Sequence, residues 1–235
     1  MLHHRRAFIC GAPVILMALF CIVLGGCSSQ LSPAQSKLSL ARHADLHDAS
    51  FNVTYVADGA QRQGTGTLTL QPMREEFIVA ATSNGHQTQL DIVTDDSEIF
   101  ARVQGDTLWG QLNDTDDSPP INFDGNIINY NQLSQVVLES DTMLAGVHVW
   151  HLHATFSMGL YDPISDYVQL PGSEDLWIRQ ADGLPLREVK QVSGSTIGSD
   201  GTTYPLVYDA TYDFTAWNTG VTISIPDPDQ IAPSG

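Results

Sequence analysis

Cysteine is almost absent from this chain. Its three cysteines, Cys10, Cys21 and Cys27, all lie near the N-terminus. The rest of the sequence therefore has no disulfide, no thiolate metal site and no cysteine nucleophile. Basic residues are scarce too: 10 Lys and Arg stand against 27 Asp and Glu, a formal net charge of −17. Such a field repels a phosphate backbone, which excludes nucleic acid as a partner, and it offers anionic lipid headgroups no polybasic patch. Catalytic signatures are missing as well. There is no Gly-x-Ser-x-Gly elbow, no His-Glu-x-x-His helix and no phosphate-cradling glycine loop. Ser193-Gly194-Ser195-Thr196 reads as a turn without an evident base, and no spacing among the carboxylates singles out an acid/base pair. These absences favour a binding protein over an enzyme, with no cofactor and no metal. What the chain does have is 42% hydrophobic residues, enough to build a core without covalent help.

The N-terminus carries the strongest pattern. Arg5 and Arg6 precede an uncharged apolar run over residues 7–24, and Gly25-Gly26-Cys27 follows. Basic, apolar and then small is the order of an export signal. Leu24-Gly25-Gly26-Cys27 resembles the bacterial lipobox, in which the cysteine is acylated and becomes the new N-terminus. A transmembrane helix is the competing reading. The run of about 18 residues is at the lower limit for spanning, and no cationic stop-transfer cluster follows it. The expectation is a signal peptide over residues 1–26, lipid attachment at Cys27, and an exported, outward-facing protein anchored to the cell membrane. His4-Arg5-Arg6-Ala7-Phe8-Ile9 partly matches a twin-arginine motif but lacks its flanking polar residue and later lysine. The strong apolar run suits the general secretory route. Loss of residues 1–26 removes two cations and no acid, so the remainder is more acidic still.

Residues 27–35 read as a polar tether, 36–231 as one domain and 232–235 as a tail. Pro33 suits a first helical turn, and residues 34–49 read as a helix with Leu38, Ala41 and Leu46 available for burial. From Ser50 the period becomes two. Phe51, Val53 and Tyr55 alternate with polar residues, as do Phe77, Val79 and Ala81, and the series continues to Leu112. Turn signals at Asp58-Gly59, Asn84-Gly85, Asp95-Asp96 and Gly105-Asp106 punctuate an antiparallel meander of at least five strands. Residues 113–124 form an acidic, proline-containing loop. Tyr130, Leu133, Val136 and Val137 then fall at helical spacing, with Asn129 or Asn131 as cap and Met143 and Leu144 prolonging the stripe. Strands resume at 146–156, 174–180, 186–192, 204–214 and 221–225, with turns at Asp182-Gly183 and within 194–201. The sum is an α+β fold: a large curved antiparallel sheet, a half-open β-barrel, with about two helices in its concave mouth. A cavity between sheet and helices would suit a hydrophobic ligand.

Several segments have the order seen in a known family. They are Leu46-His47-Asp48-Ala49-Ser50-Phe51, Gly64-Thr65-Gly66-Thr67-Leu68, Ile99-Phe100-Ala101-Arg102 ahead of Trp109, and Ala145-Gly146-Val147 before His151-Leu152. Leu176-Trp177-Ile178-Arg179 with Gly183-Leu184-Pro185-Leu186, and Val221-Thr222-Ile223-Ser224-Ile225-Pro226, complete the series. Across residues 46–231 the chain resembles the LppX/LprAFG lipoproteins, which share a fold with the LolA/LolB carriers. The resemblance implies a curved half-barrel with helices in its opening, which binds or carries acylated lipids at or outside the cytoplasmic membrane. The strong acidity and the 114–120 loop depart from that family.

His148, His151 and His153 are the one cluster of metal-ligand residue types. On a strand His151 and His153 share a face and His148 takes the other, which makes half a zinc site at most and reads as sheet histidines. Asp114-Thr115-Asp116-Asp117 and Asp227-Pro228-Asp229 lack the glycine and distal glutamate of a calcium loop. Tryptophans 109, 150, 177 and 217 are spread over the strands and serve equally as core or cavity lining. The expected ligand contacts are Leu133, Val136, Val137, Trp109 and Trp150, with an acylated or other apolar ligand as partner. The alternative is an interaction or sensor module without a lipid, facing another envelope protein with its acidic surface.

Overall fold

A computed structural model describes residues 31–57, 60–83, 86–95, 98–112, 128–160, 168–197 and 202–233. Cys27, the export signal, the Asp58-Gly59 and Asn84-Gly85 turns and the acidic 113–124 loop lie outside the described residues. Helix α1 (Pro33–Arg42) leads into strands β1 (Asp48–Ala57), β2 (Ala60–Leu70), β3 (Met73–Ser83), β4 (His86–Asp95), β5 (Glu98–Val103) and β6 (Gly110–Leu112). A 3-10 turn (Tyr130–Gln132) then precedes β7 (Ser134–Leu144), β8 (Val147–Leu160), β9 (Val168–Arg179), β10 (Pro185–Ile197) and β11 (Thr203–Trp217). All eleven strands form one antiparallel sheet in the order β6-β5-β4-β3-β2-β1-β11-β10-β9-β8-β7. Two meanders are thus joined where the first strand pairs the last. β6 and β7 are the edges among the described residues, so the curved sheet stays open.

The period-two reading holds where it can be seen. Phe51, Val53, Tyr55, Phe77 and Val79 are all buried on one face. They join Leu68, Ile92, Ala210, Tyr212 and Phe214 in the main apolar cluster, with the rings of Phe77 and Tyr212 edge-on to Phe51 at 5.4 and 5.6 Å. A second cluster on the same face of β8 and β9 holds Leu152, Ala154, Leu176 and Ile178 under Ala34, Leu38 and Ala41 of α1. The Asp182-Gly183 turn tucks against that helix. Gly183 has φ 79°, and a Cβ there would stand 2.9 Å from the Leu40 carbonyl oxygen, so only glycine fits.

Four expectations need correction. Helix α1 ends at Arg42 instead of residue 49. His43 and Ala44 close it with tightened turns, and Asp48 and Ala49 already belong to β1. The second helix does not form, so one α-helix is present among the described residues. Residues 130–132 make a single 3-10 turn, and Val136 and Val137 lie in β7. The helical spacing there is a by-product of irregularity: register shifts between Ser134 and Val137 and between Leu138 and Ser140 break the strict alternation, and adjacent β-branched residues favour a strand. Residues 221–225 pair with no strand and instead form a strap. Ile223 packs with Val93, Phe100 and Trp109 on the face opposite the main cluster, since Val93 adjoins Ile92 in β4. Finally, residues 194–197 pair with β11 and do not form the expected turn.

Candidate functional site

The concave face of β9–β11 carries charge where alternation calls for apolar side chains. Glu174 on β9 shares its face with Leu176 and Ile178, and Glu188 and Lys190 on β10 share theirs with Val192. Register sets Lys190 opposite Glu174, and Glu188 opposite both Leu176 and Tyr212. The Lys190 Nζ lies 2.8 Å from Glu188 Oε1 and 3.8 Å from Glu174 Oε2. The shorter contact is a close, buried ion pair. Tyr208 and Tyr212 on β11 bond each other through their hydroxyls at 2.9 Å. Glu75 of β3 is buried near them and contributes charge to both.

Burial governs the protonation of this group. It pushes the Glu174 carboxyl well above the usual carboxylate range, and the neighbouring Glu188 adds to the shift. Burial works against the Lys190 ammonium, yet Glu188 and Glu174 outweigh it and raise its pKa. The Tyr212 and Tyr208 hydroxyls are raised first by burial. Tyr130, on the 3-10 turn, is 2% exposed. Burial and then the Glu188 and Glu174 charges lift it well above the ordinary tyrosine value. Its hydroxyl, Glu174 Oε1 and Glu188 Oε2 have no hydrogen-bond partner. The turn is tied to α1 by the Arg42 guanidinium, which donates to the Tyr130 carbonyl at 2.6 Å (Nη2) and 3.2 Å (Nε). It enters at Ile128, a β-branched residue at φ 69°.

The expected ligand contacts divide. Leu133 is buried in the cluster under α1, and Val136 and Trp150 pack half-buried against it, the Lys37 ammonium lying 4.1 Å over the Trp150 ring. Val137 is 50% exposed. Trp109 belongs to the strap cluster on the opposite face. Trp217 joins the main cluster, whereas Trp177 stacks on His151 with ring centres 4.3 Å apart. His151 and His153 share a face as expected and both meet one oxygen of Asp175, at 2.8 and 3.3 Å, while His148 is exposed. Among the described residues no group of His, Cys, Asp and Glu is arranged to hold a metal ion.

The buried Glu–Glu–Lys cluster escaped the sequence reading because β10 carries charge in both phases, Arg187 as well as Glu188 and Lys190. The usable signal was phase: Glu174 keeps step with Leu176 and Ile178. No described helix is long and apolar enough to cross a membrane.

No protein-family model and no curated protein matches the chain. Solved structures similar to it include LprF from Mycobacterium bovis, at 14% identity and TM-score 0.46 over 84% of this chain and 99% of that one. The lipoprotein LppX from Mycobacterium tuberculosis is similar at 11% identity and TM-score 0.44, over 80% and 98% of the two chains. A LolA superfamily protein from Nitrosomonas europaea is similar at 10% identity and TM-score 0.31, over 85% and 97%. At these identities the likenesses are ones of fold.

Proposed function

We propose that this chain is an exported lipoprotein, acylated at Cys27, whose half-barrel takes an acylated or other apolar ligand on its concave face. The observation that carries the reading is the open sheet itself. Eleven strands present a broad apolar face, and the ten-residue helix α1 packs chiefly on β7, β8 and the Tyr130 turn. A face of that extent, with no matching helical layer among the described residues, is suited to covering by a ligand. Leu133, Val136 and Trp150 line the end beside α1 and are the proposed ligand contacts there.

Native mass spectrometry of protein extracted from its membrane tests the ligand, with a co-purifying lipid or other apolar molecule as the expected result. Repeated preparations without one would favour the interaction module. Anchoring is a separate measurement. The intact mass should show a chain that begins at an acylated Cys27, and Cys27→Ala should release the protein from the membrane. Retention of residues 1–26, or an unmodified Cys27, would overturn that part.

A further inference from the structure

The outer face of the first meander carries a row of side chains that runs at right angles to its strands. Asp48 of β1, Thr69 of β2, Arg74 of β3 and Asp95 of β4 are successive register partners. Partners across a ladder share a face. Theirs is opposite the main cluster, since Ala49, next to Asp48, is buried in that cluster. The strap and its flanks, residues 219–232, are laced to this row. The Asp48 carboxylate accepts from the Thr219, Gly220 and Val221 N–H groups. Two residues on, the Ile223 carbonyl accepts from Arg74 Nη1 at 3.2 Å. The same guanidinium reaches the two carboxylate oxygens of Asp95 at 3.2 and 3.4 Å. The Ile223 side chain packs with Val93 of β4, Phe100 of β5 and Trp109. At the far end the Trp109 N–H donates to the Gln230 carbonyl and the Ala232 N–H to the Trp109 carbonyl, both at 2.7 Å.

We propose that this lacing is a cross-tie that fixes the curvature of the first meander and so holds the concave face wide enough for a ligand. Asp48, Arg74 and Ile223 are then positioning residues for a site they do not touch. The proposal rests on the apolar-ligand reading of that face.

Direction matters first. A sheet curls across its strands, so a tie perpendicular to them opposes curling, whereas one along them would not. Length comes next. Ile223 packs on β4 and β5, three to four strand spacings from β1, or about 14 to 19 Å. Four peptide steps from Thr219 to Ile223 reach at most about 14 Å. The side chains of Asp48 and Arg74 close the difference, and little slack remains. The strap lies outside the curve, where any further curl lengthens its path. The drive to curl comes from the other face, whose apolar side chains gain by folding onto one another when no ligand covers them. The tie thus resists inward collapse from behind.

Fluorescence titration of the full chain with two apolar probes reads the width of the face. Diphenylhexatriene is a slender rod and perylene a broad plate, and both should bind the wild type. Arg74→Met and Asp48→Asn should each weaken perylene roughly fivefold or more and the rod less than about twofold, at a temperature where both variants are folded. Val149→Ala is the control. Val149 is buried on the outer face of β8, away from the tie, so its truncation lowers stability and should leave both affinities unchanged. A strap that merely covers Val93, Phe100 and Trp109 would change stability alone. Wild-type affinity for perylene in both tie variants, an equal loss for both probes, or the same loss in Val149→Ala overturns the cross-tie and leaves the apolar-ligand reading standing. So does a wild type that takes the rod and refuses the plate. Failure of both probes to bind the wild type overturns that reading and the cross-tie with it. Should Asp48→Asn not fold, Arg74→Met carries the test, because the Arg74 side chain is partly exposed.

Discussion

Replacing Lys190 by methionine separates the charge of the buried cluster from its packing. Methionine keeps an unbranched apolar stem of similar length, so the main loss is the ammonium. That ammonium stands 2.8 Å from Glu188 and 3.8 Å from Glu174, and the three side chains are 6%, 0% and 3% exposed. A unit-charge pair at about 4 Å is worth about 4 kcal/mol at an effective dielectric of about 20. Removal of one partner of a buried pair costs about 3–5 kcal/mol, because the other charge is left alone. The stranded carboxyl has one relief, uptake of a proton. For a glutamate of ordinary value 4.5, that costs about 3.4 kcal/mol at pH 7, at about 1.36 kcal/mol per unit. At pH 5 the same protonation costs about 0.7 kcal/mol. The penalty of Lys190→Met should therefore reach about 3 kcal/mol at pH 7 and shrink below about 1 kcal/mol at pH 5. The sign follows from proton counts. Above pH 4.5 the folded variant holds a proton that its unfolded chain has released, so the variant loses stability as pH rises. Urea unfolding of both proteins at the two pH values, followed by tryptophan fluorescence, measures the difference. Adding Glu188→Gln to the variant should restore most of the loss at pH 7. A penalty equal at both pH values, or under about 1 kcal/mol at pH 7, refutes the electrostatic account and assigns Lys190 a packing role.

Two further outcomes test the frame around the site. The buried Asp48 accepts the Thr219 N–H (2.8 Å), the Thr219 hydroxyl (2.9 Å) and the Gly220 N–H (3.0 Å). Burial raises its carboxyl, but these donors and the Val221 N–H together hold it below 3.8. A lowered acid contributes stability above its unfolded value, and that contribution is lost as pH falls through the folded one. Asp48→Ala should therefore cost about 1.5–3 kcal/mol at pH 7 in urea unfolding and little near pH 2. A Cβ on Gly66 would lie 2.5 Å from Phe51 Cζ and 2.9 Å from the Glu76 carbonyl oxygen. Gly66→Ala should lower stability by about 1–3 kcal/mol through overpacking, read as a fall in the thermal midpoint, and an unchanged midpoint would show that the Phe51 ring yields freely.

The strands were legible because a half-buried strand writes its burial into alternate positions, as Phe51, Val53 and Tyr55 do. The turn at Gly183 was legible for an equally local reason, its need for φ 79°. The β7 edge was not. Its register shifts place Leu133, Val136 and Val137 at intervals that imitate a helix, and only pairing with β8 distinguishes the two. The strap was hidden in the same way, since Val221, Ile223 and Ile225 alternate like a strand yet find no ladder. Arg74 of β3, on the same face as Val93, donates to the Ile223 carbonyl and helps to hold the strap there.

The sequence by itself determined the acidity, the cysteine-free domain, the export pattern ahead of Cys27 and an antiparallel sheet too large to lie flat. Each follows from composition or from contacts between near neighbours. The tertiary structure alone decided that β1 closes against β11 across more than 150 residues of chain, and hence that the charge of Glu75 from one meander acts on Tyr208 and Tyr212 of the other. No local rule predicts a buried charge. Its cost is settled by which partners the folded chain brings within a few ångströms, and here it brings the Lys190 ammonium to Glu188 and Glu174.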